Sequence, residues 1–80
     1  MDLKLKIVSP ERIEYDGEVR SVLVPGVIGQ FEILRNHAPI ISALTKGEVI
    51  YDDGEKKSIK ITSGFVSVNE NQVNVCVELI

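Results

Sequence analysis

The residue types that usually carry chemistry in small proteins are scarce in this sequence. It has no tryptophan, one cysteine and one histidine among 80 residues. The lone Cys76 cannot close an internal disulfide or build a cysteine-based metal site, which excludes a disulfide-stabilised secreted domain. No apolar run approaches the roughly 20 residues that cross a bilayer as a helix, and residues 1–10 lack the pattern of a signal or transit peptide. We therefore expect a soluble, intracellular protein.

Charge of one sign is also not concentrated anywhere in the chain. The formal net charge is −3, and the lysines are interspersed with acidic residues, so no basic patch predicts a nucleic-acid partner. The length predicts one domain, spanning 1–80. A domain of this size buries only about 60% of the surface that its unfolded chain exposes. Because aromatic residues are few, the core must be built from valine, isoleucine and leucine.

What the sequence has in abundance is short alternation of apolar and polar residues. Leu3, Leu5 and Ile7 alternate with lysines, which is typical of a strand with one buried face. Similar segments follow to the end of the chain, about nine in all, and none has the period of an amphipathic helix. Residues 40–44 are too short to separate a strand from a helical turn. The prediction is an all-β fold, a flattened β-sandwich or barrel of about nine or ten short strands without a substantial helix.

Turn residues divide these segments. Asp16-Gly17 and Asp53-Gly54 are typical of tight hairpin turns, because glycine tolerates positive φ. A break is predicted at Pro25-Gly26, and residues 69–72 are expected to form the last turn. Gly64 is expected to interrupt a strand.

The residues that could support catalysis do not form a known pattern. His37 is the only candidate general base near neutral pH. Ser42, Ser63 and Cys76 do not lie in a nucleophile-elbow sequence. Asp52 and Asp53 are adjacent carboxylates, but aspartate is common in hairpin turns for backbone reasons alone. One histidine cannot supply a histidine-based metal cluster. We predict no catalytic residue, no metal and no cofactor.

Two segments have both a structural and a functional interpretation. In PGVIGQ, residues 25–30, the glycines Gly26 and Gly29 could serve only a tight reversal. However, Val27 and Ile28 are bulky and apolar at a position where polar residues are usual, and exposed apolar loop tips often mark contact sites. His37 could cap the turn before Pro39 through a ring nitrogen, or it could contact a partner.

Residues 25–49, PGVIGQFEILRNHAPIISALTKGEV, favour the functional interpretation. The segment resembles the signature of the ε subunit of F-type ATP synthases, called δ in mitochondria, in its glycine-bounded turn, its Asn-His-Ala-Pro step and the Leu and Gly that follow. The opening strands with Ser9-Pro10, and the ending SGFVSVNENQVNVCVEL, are similar to the same family. The resemblance covers nearly the whole chain. Gln30 and Glu32 depart from it, since Glu and Gly are frequent there, although Gln30 keeps the shape and hydrogen-bonding reach.

The resemblance implies a fold and a function. The expected fold is a flattened sandwich of ten strands, and the expected function is that of a non-catalytic central-stalk subunit, which couples proton translocation to rotary ATP synthesis. The typical family member continues into an inhibitory C-terminal helical hairpin. This sequence stops at Ile80, so we expect a short form that lacks the hairpin.

The resemblance also implies partners and contact residues. The partners would be the γ subunit and the c-ring of a hetero-oligomeric complex, with no cofactor. The protein would be peripheral on the cytoplasmic side of the bacterial inner membrane, without lipid insertion. The expected c-ring contacts are Gly26, Val27, Ile28, Gly29 and Gln30. The expected γ contacts are Ser9, His37, Ala38, Pro39 and Ser42.

Two other functions stay open on the sequence. The first is a free-standing β-sandwich binding module of unknown ligand, which the gene neighbourhood would distinguish, because an ε gene should lie beside the gene for the catalytic β subunit. The second is a small hydrolase that uses His37. It requires a pocket with an aligned serine or cysteine.

Overall fold

The computed structural model describes residues 2–80, and every regular element in that range is a strand. The alternation found in the sequence explains why. Leu3, Leu5 and Ile7 are buried while the lysines between them are exposed, as expected for a strand that lies against a core on one face. The strands are β1 (Leu3–Val8), β2 (Ile13–Val19), β3 (Ser21–Pro25), β4 (Gln30–Ile33), β5 (Ile40–Leu44), β6 (Gly47–Asp52), β7 (Lys56–Asn69) and β8 (Gln72–Leu79).

The strands form one hydrogen-bonded path with two groups of strands that meet at β7. One group is β1, β2, β5 and β8, and the other is β3, β4 and β6. The order is β2-β1-β8-β7-β6-β3-β4, with β5 paired to β7 off this path. β7 is long enough to serve both groups: its first part pairs with β6, and its second part, from Gly64 onward, pairs with β5. β8 pairs with β7 between Ile61 and Asn69, with a register shift between Ile61 and Ser63. The β1–β8 pair is parallel, and all other pairs are antiparallel.

One core joins the two groups of strands. Apolar side chains of β1, β2, β7 and β8 pack in the same cluster as those of β3, β4 and β6. No polar or charged residue among residues 2–80 is classed as buried. Each fully buried Val, Leu or Ile contributes about 1.5–3 kcal/mol, which makes this cluster the main source of stability. It consists of Leu3, Leu5, Ile7, Val19, Val22, Val24, Ile33, Leu44, Val49, Tyr51, Ile61, Val66, Val68, Val73, Val75 and Val77.

The all-β prediction is confirmed, whereas the number of strands is eight, because two predicted breaks are absent and an unpredicted break occurs at Arg20. Asp16-Gly17 is not a hairpin turn: both residues lie inside β2 and pair with Lys6 and Leu5 of β1. β1 is long enough to pair with β2 along its whole length, so the chain stays extended through the Asp-Gly step. The break comes at Arg20, whose N–H donates to the Asp52 carbonyl at 2.7 Å.

Gly64 does not interrupt β7 either. It pairs with Leu44 of β5 on one side and Val77 of β8 on the other. A Cβ atom at this position would collide with the Cys76 carbonyl oxygen and would lie 3.2 Å from Val77 Cα. The glycine therefore permits close approach of a neighbouring backbone, which is the other common reason for glycine in a strand.

The remaining turns are where they were predicted. β3 ends at Pro25, and the segment 40–44, which could have been a helical turn, is strand β5. The β7–β8 connection has only two residues, Glu70 and Asn71, with φ values of 49° and 61°. Positive φ at both central residues is the geometry that suits the twist of two-residue hairpins.

Candidate binding surface

The turn between β3 and β4 places two apolar side chains in solvent. The Gly29 N–H donates to the Gly26 carbonyl at 3.0 Å, which closes a four-residue turn with Val27 and Ile28 at its tip. Val27 is 58% exposed and Ile28 is fully exposed. Gln30 follows as the first residue of β4 and is also exposed. Four of the five residues predicted to contact the c-ring are thus accessible, and only Gly26 is buried.

The backbone of this turn is braced against β5. The Val27 N–H donates to the Ala43 carbonyl at 3.1 Å, and the Thr45 N–H donates to the Pro25 carbonyl at 2.8 Å. Gly26 cannot be replaced without a shift, because a Cβ there would lie 2.7 Å from the Gly29 carbonyl oxygen and 3.0 Å from the Phe31 ring. The turn therefore holds its apolar tip on a backbone with few alternative conformations.

The His37-Ala38-Pro39 segment leads into β5. The His37 N–H donates to the Leu34 carbonyl at 3.1 Å, which closes a turn over Arg35 and Asn36. The Nδ1 atom of His37 lies 2.7 Å from the Ala38 carbonyl oxygen, and its ring is 6.3 Å from the Phe31 ring. The ring is half-buried, and Ala38 and Pro39 are exposed. The predicted bond from a ring nitrogen to nearby backbone is present, and an accessible surface beside it remains.

The two serines predicted to contact γ have different environments. Ser9 donates through Oγ to Glu14 Oε2 at 2.8 Å. This bond, together with the nearby Arg12 guanidinium, holds the pKa of Glu14 below its ordinary value. Ser42 lies in β5 opposite Val66, whose side chain is in the core, and is half-buried. Ser9 is thus bonded to Glu14 near the start of β2, and Ser42 lies on the core side of an edge strand.

An apolar row on the outer face of the sheet was not predicted from the sequence. Strand register places Ala43, Phe65, Cys76 and Val8 side by side across β5, β7, β8 and β1. Phe65 is 61% exposed. The row lies in a groove of about 610 Å³ that Ser9 also lines. The available signal was Phe65 itself, an aromatic residue that alternates with the buried Val66 and therefore had to face outward.

A polar cluster ties β2 to the β6–β7 turn. Asp53 accepts a hydrogen bond from Lys57 Nζ at 2.9 Å and one from the Tyr15 hydroxyl at 3.2 Å. The Lys57 ammonium is the main reason that the pKa of Asp53 lies below its ordinary value. Burial, and then the bond to Asp53, raise the pKa of Tyr15. The Tyr15 and Tyr51 rings lie 4.5 Å apart beside it. The carboxylate, the ammonium and the hydroxyl of this cluster are thus hydrogen-bonded to one another, which is typical of a structural contact between strands.

The arrangement that a hydrolase requires is not found in the described residues. His37 forms its side-chain hydrogen bond with Ala38 and none with Ser42, Ser63 or Cys76 across residues 2–80. Ser63 and Cys76 line the outer groove, which His37 does not line. Within the same range, no group of three or more His, Cys, Asp or Glu side chains could hold a metal ion. No helix in this range is long and apolar enough to span a membrane.

These features define a class: a small β-sandwich whose conspicuous surfaces are apolar and suited to contact with other molecules. The chain belongs to the family described as ATP synthase, Delta/Epsilon chain, beta-sandwich domain, whose model matches residues 2–80. The resemblance found in the sequence is thereby confirmed.

Similar proteins support the same assignment. The ATP synthase epsilon chain of a Nitratiruptor species is 46% identical over 78 residues, covering 95% of this chain and 60% of that protein. The chain thus spans about three fifths of that relative's length. The ATP synthase epsilon chain of Chlorobium limicola is 39% identical over 77 residues, covering 94% of this chain and 88% of that protein.

A solved structure has the same fold. A chain in the structure of the Euglena gracilis mitochondrial ATP synthase, described as OSCP/F1/c-ring in rotational state 1, superimposes with a TM-score of 0.88 at 20% identity. The match covers 95% of this chain and 50% of that one.

Proposed function

We propose that residues 2–80 act as one non-catalytic module of the ATP synthase central stalk. The module binds the γ subunit and the c-ring and thereby couples proton translocation to rotary ATP synthesis. It would lie peripherally on the cytoplasmic side of the bacterial inner membrane as part of a hetero-oligomeric complex, without inserting into lipid. The names of the similar proteins, and the c-ring in the description of the Euglena structure, support this proposal.

One observation carries the proposal. The turn from Gly26 to Gly29 exposes Val27 and Ile28 on a backbone braced by β5. A backbone already held by hydrogen bonds has little conformational freedom to lose on association, so the ordering cost is confined to the side chains, at about 0.5–1.5 kcal/mol for each one immobilised. We assign the c-ring contact to the turn of Gly26, Val27, Ile28, Gly29 and Gln30, in which the last four residues offer the accessible surface and the buried Gly26 fixes the backbone.

The γ contact is assigned to the surface around β5. His37, Ala38 and Pro39 precede this strand and Ser42 lies within it, while Ser9 lines the groove that Ala43 also lines. Proline fixes its own φ near −65°, which limits the conformations of the segment that leads into β5.

The test is a calorimetric titration with the γ subunit from the same genome. We expect one-to-one binding by the unmodified chain and weaker binding by His37→Ala, with thermal unfolding unchanged. Lys46→Ala, an exposed change just beyond β5, is the matched control and should bind as the unmodified chain does. Absence of γ binding by a folded, unmodified chain would overturn the proposal and favour a free-standing module with another ligand.

A further inference from the structure

The turn that carries His37 is fastened to a distant part of the chain by one side chain. Asn71, in the β7–β8 turn, accepts a hydrogen bond from the Asn36 N–H through Oδ1 at 2.6 Å. Its Nδ2 also approaches Asn36 Oδ1, at 3.4 Å. The two residues are 35 positions apart, and Asn36 is bonded to His37 through the peptide chain.

Asn71 is itself held in place. Its carbonyl accepts from the Lys4 N–H of β1 at 2.9 Å, and its φ of 61° is set by the two-residue turn. Asn36 has a φ of 66°. Asparagine tolerates this left-handed conformation better than most residues, so both ends of the contact occupy positions that asparagine suits. The contact thus joins the His37 turn to β1 and to the β7–β8 turn.

Other restraints on this turn are weak. Within the turn itself, the His37 N–H donates to the Leu34 carbonyl and His37 Nδ1 lies 2.7 Å from the Ala38 carbonyl oxygen. From outside the turn, the Phe31 ring lies 6.3 Å from the His37 ring, and Arg35 Nη1 lies 3.9 Å from Asp2 Oδ1 in an exposed pair. Exposed ion pairs of this kind contribute little. The Asn71 side chain therefore supplies the hydrogen bonds that hold this turn to a distant part of the chain.

We propose that Asn71 is a positioning residue for partner binding: it holds His37, Ala38 and Pro39 in the conformation that meets the γ subunit. The inference rests on the proposed function, because it requires that this segment contacts γ. Ordering a flexible segment on association costs free energy and weakens binding. A segment that is already ordered avoids this cost and binds more tightly. Asn71 need not touch γ itself to affect affinity.

The test uses Asn71→Gly, which keeps positive φ accessible and removes both side-chain bonds. The matched control is Glu70→Gly, at the adjacent turn residue with a φ of 49°, because it adds the same unfolded-state freedom and leaves the Asn36 contact intact. We expect Asn71→Gly to weaken γ binding about 2- to 10-fold, the range that one hydrogen bond supports. Glu70→Gly should bind as the unmodified chain does, and Asn71→Asp, which keeps the acceptor for the Asn36 N–H, should recover most of the loss.

Two further readouts separate positioning from general stability. Amide hydrogen exchange at Asn36, measured without γ, should accelerate in Asn71→Gly and stay slow in Glu70→Gly. In the His37→Ala background, Asn71→Gly should weaken γ binding by a smaller factor than it does in the unmodified chain, because the effects of interacting residues are not additive. Equal γ affinity of Asn71→Gly and the unmodified chain, or full additivity with His37→Ala, would overturn the inference alone. No γ binding by the unmodified chain would overturn the proposed function and this inference with it.

Discussion

Two turns of this molecule reverse the chain with residues of opposite polarity at their tips. The β6–β7 turn is polar, and its own side chains accept hydrogen bonds that close it, beside one backbone bond from the Asp53 N–H to the Glu55 carbonyl at 3.2 Å. The Gly54 N–H donates to Asp52 Oδ1 at 2.9 Å, and the Glu55 N–H donates to Asp53 Oδ1 at 3.3 Å. The residue types at its tip are thus explained by the turn itself.

The β3–β4 turn is apolar and is closed by backbone groups. Its bonds join Gly26 to Gly29 and Val27 to Ala43 through N–H and carbonyl groups, so the side chains of Val27 and Ile28 take no part in them. Under the proposed function, these two side chains, which neither close the turn nor enter the core, are available for contact with another molecule. Side chains that the geometry of a turn does not require are therefore the ones to test for a binding role.

The largest effect should follow from removing the apolar tip. We expect Val27→Ser with Ile28→Ser to weaken association with a detergent-solubilised c-ring by about 30-fold or more, since burying each such side chain is worth about 1.5–3 kcal/mol. The free energy of unfolding should change by less than about 0.5 kcal/mol. Binding can be followed by interferometry on the immobilised ring.

The control for that experiment is Glu55→Ser, at the tip of the polar turn. It should leave c-ring binding unchanged. If the doubly substituted chain bound the ring as tightly as the control, the contact assigned to Val27 and Ile28 would be wrong.

A smaller effect, on stability, should follow from closing the space at Gly26. Gly26→Ala forces a Cβ to within 2.7 Å of the Gly29 carbonyl oxygen, and overpacking of this kind costs about 1–3 kcal/mol. Chemical denaturation should show the loss. Glu55→Ala in the polar turn should stay within about 0.5 kcal/mol of the unmodified chain, and an equally stable Gly26→Ala would show that the apolar turn adapts freely.

The smallest effect concerns pH and is confined to the polar turn. The Lys57 ammonium lowers the pKa of Asp53 in the folded state. The ionised Asp53 carboxylate therefore stabilises the fold at pH values above the ordinary aspartate pKa. That stability is lost as pH falls below about 4. Asp53→Asn should therefore flatten the decline in unfolding free energy between about pH 4 and the lower, folded-state value.

Ser58→Ala, an exposed change of an uncharged residue on β7, is the control for the pH measurement. It should keep the acid slope of the unmodified chain. An unchanged slope in Asp53→Asn would mean that the Lys57 contact does not persist in solution.

Local alternation was enough to predict the buried faces of most strands. Val73, Val75 and Val77 lie in the core as their spacing indicated, because a side-chain period of two is a property of the strand alone. Register was not predictable in the same way. The extended Asp16-Gly17 step depends on β1 pairing along all of β2, and the close approach at Gly64 depends on β8. Both features depend on contacts between residues that are far apart in the sequence.

The candidate surfaces also divide into features that a local stretch of sequence predicts and features that depend on distant strand pairing. The apolar tip at Val27 and Ile28 was visible because it lies within one short, continuous stretch of sequence. The outer row of Ala43, Phe65, Cys76 and Val8 exists only through the register of four strands, and the contact of Asn36 with Asn71 joins two turns that are far apart in the chain. No local pattern encodes either one.

The parallel pair of β1 and β8 has a consequence for the synthesis of the protein. The first strand lies beside the last, and β8 separates β1 from β7 in the strand order. While the chain is being made, β1 and β2 can pair early, but the sheet has a gap until residues 72–79 leave the ribosome. Folding of the sandwich is therefore completed after translation of the domain, and its many distant pairings place it among the slower small folds, in the range of milliseconds to seconds.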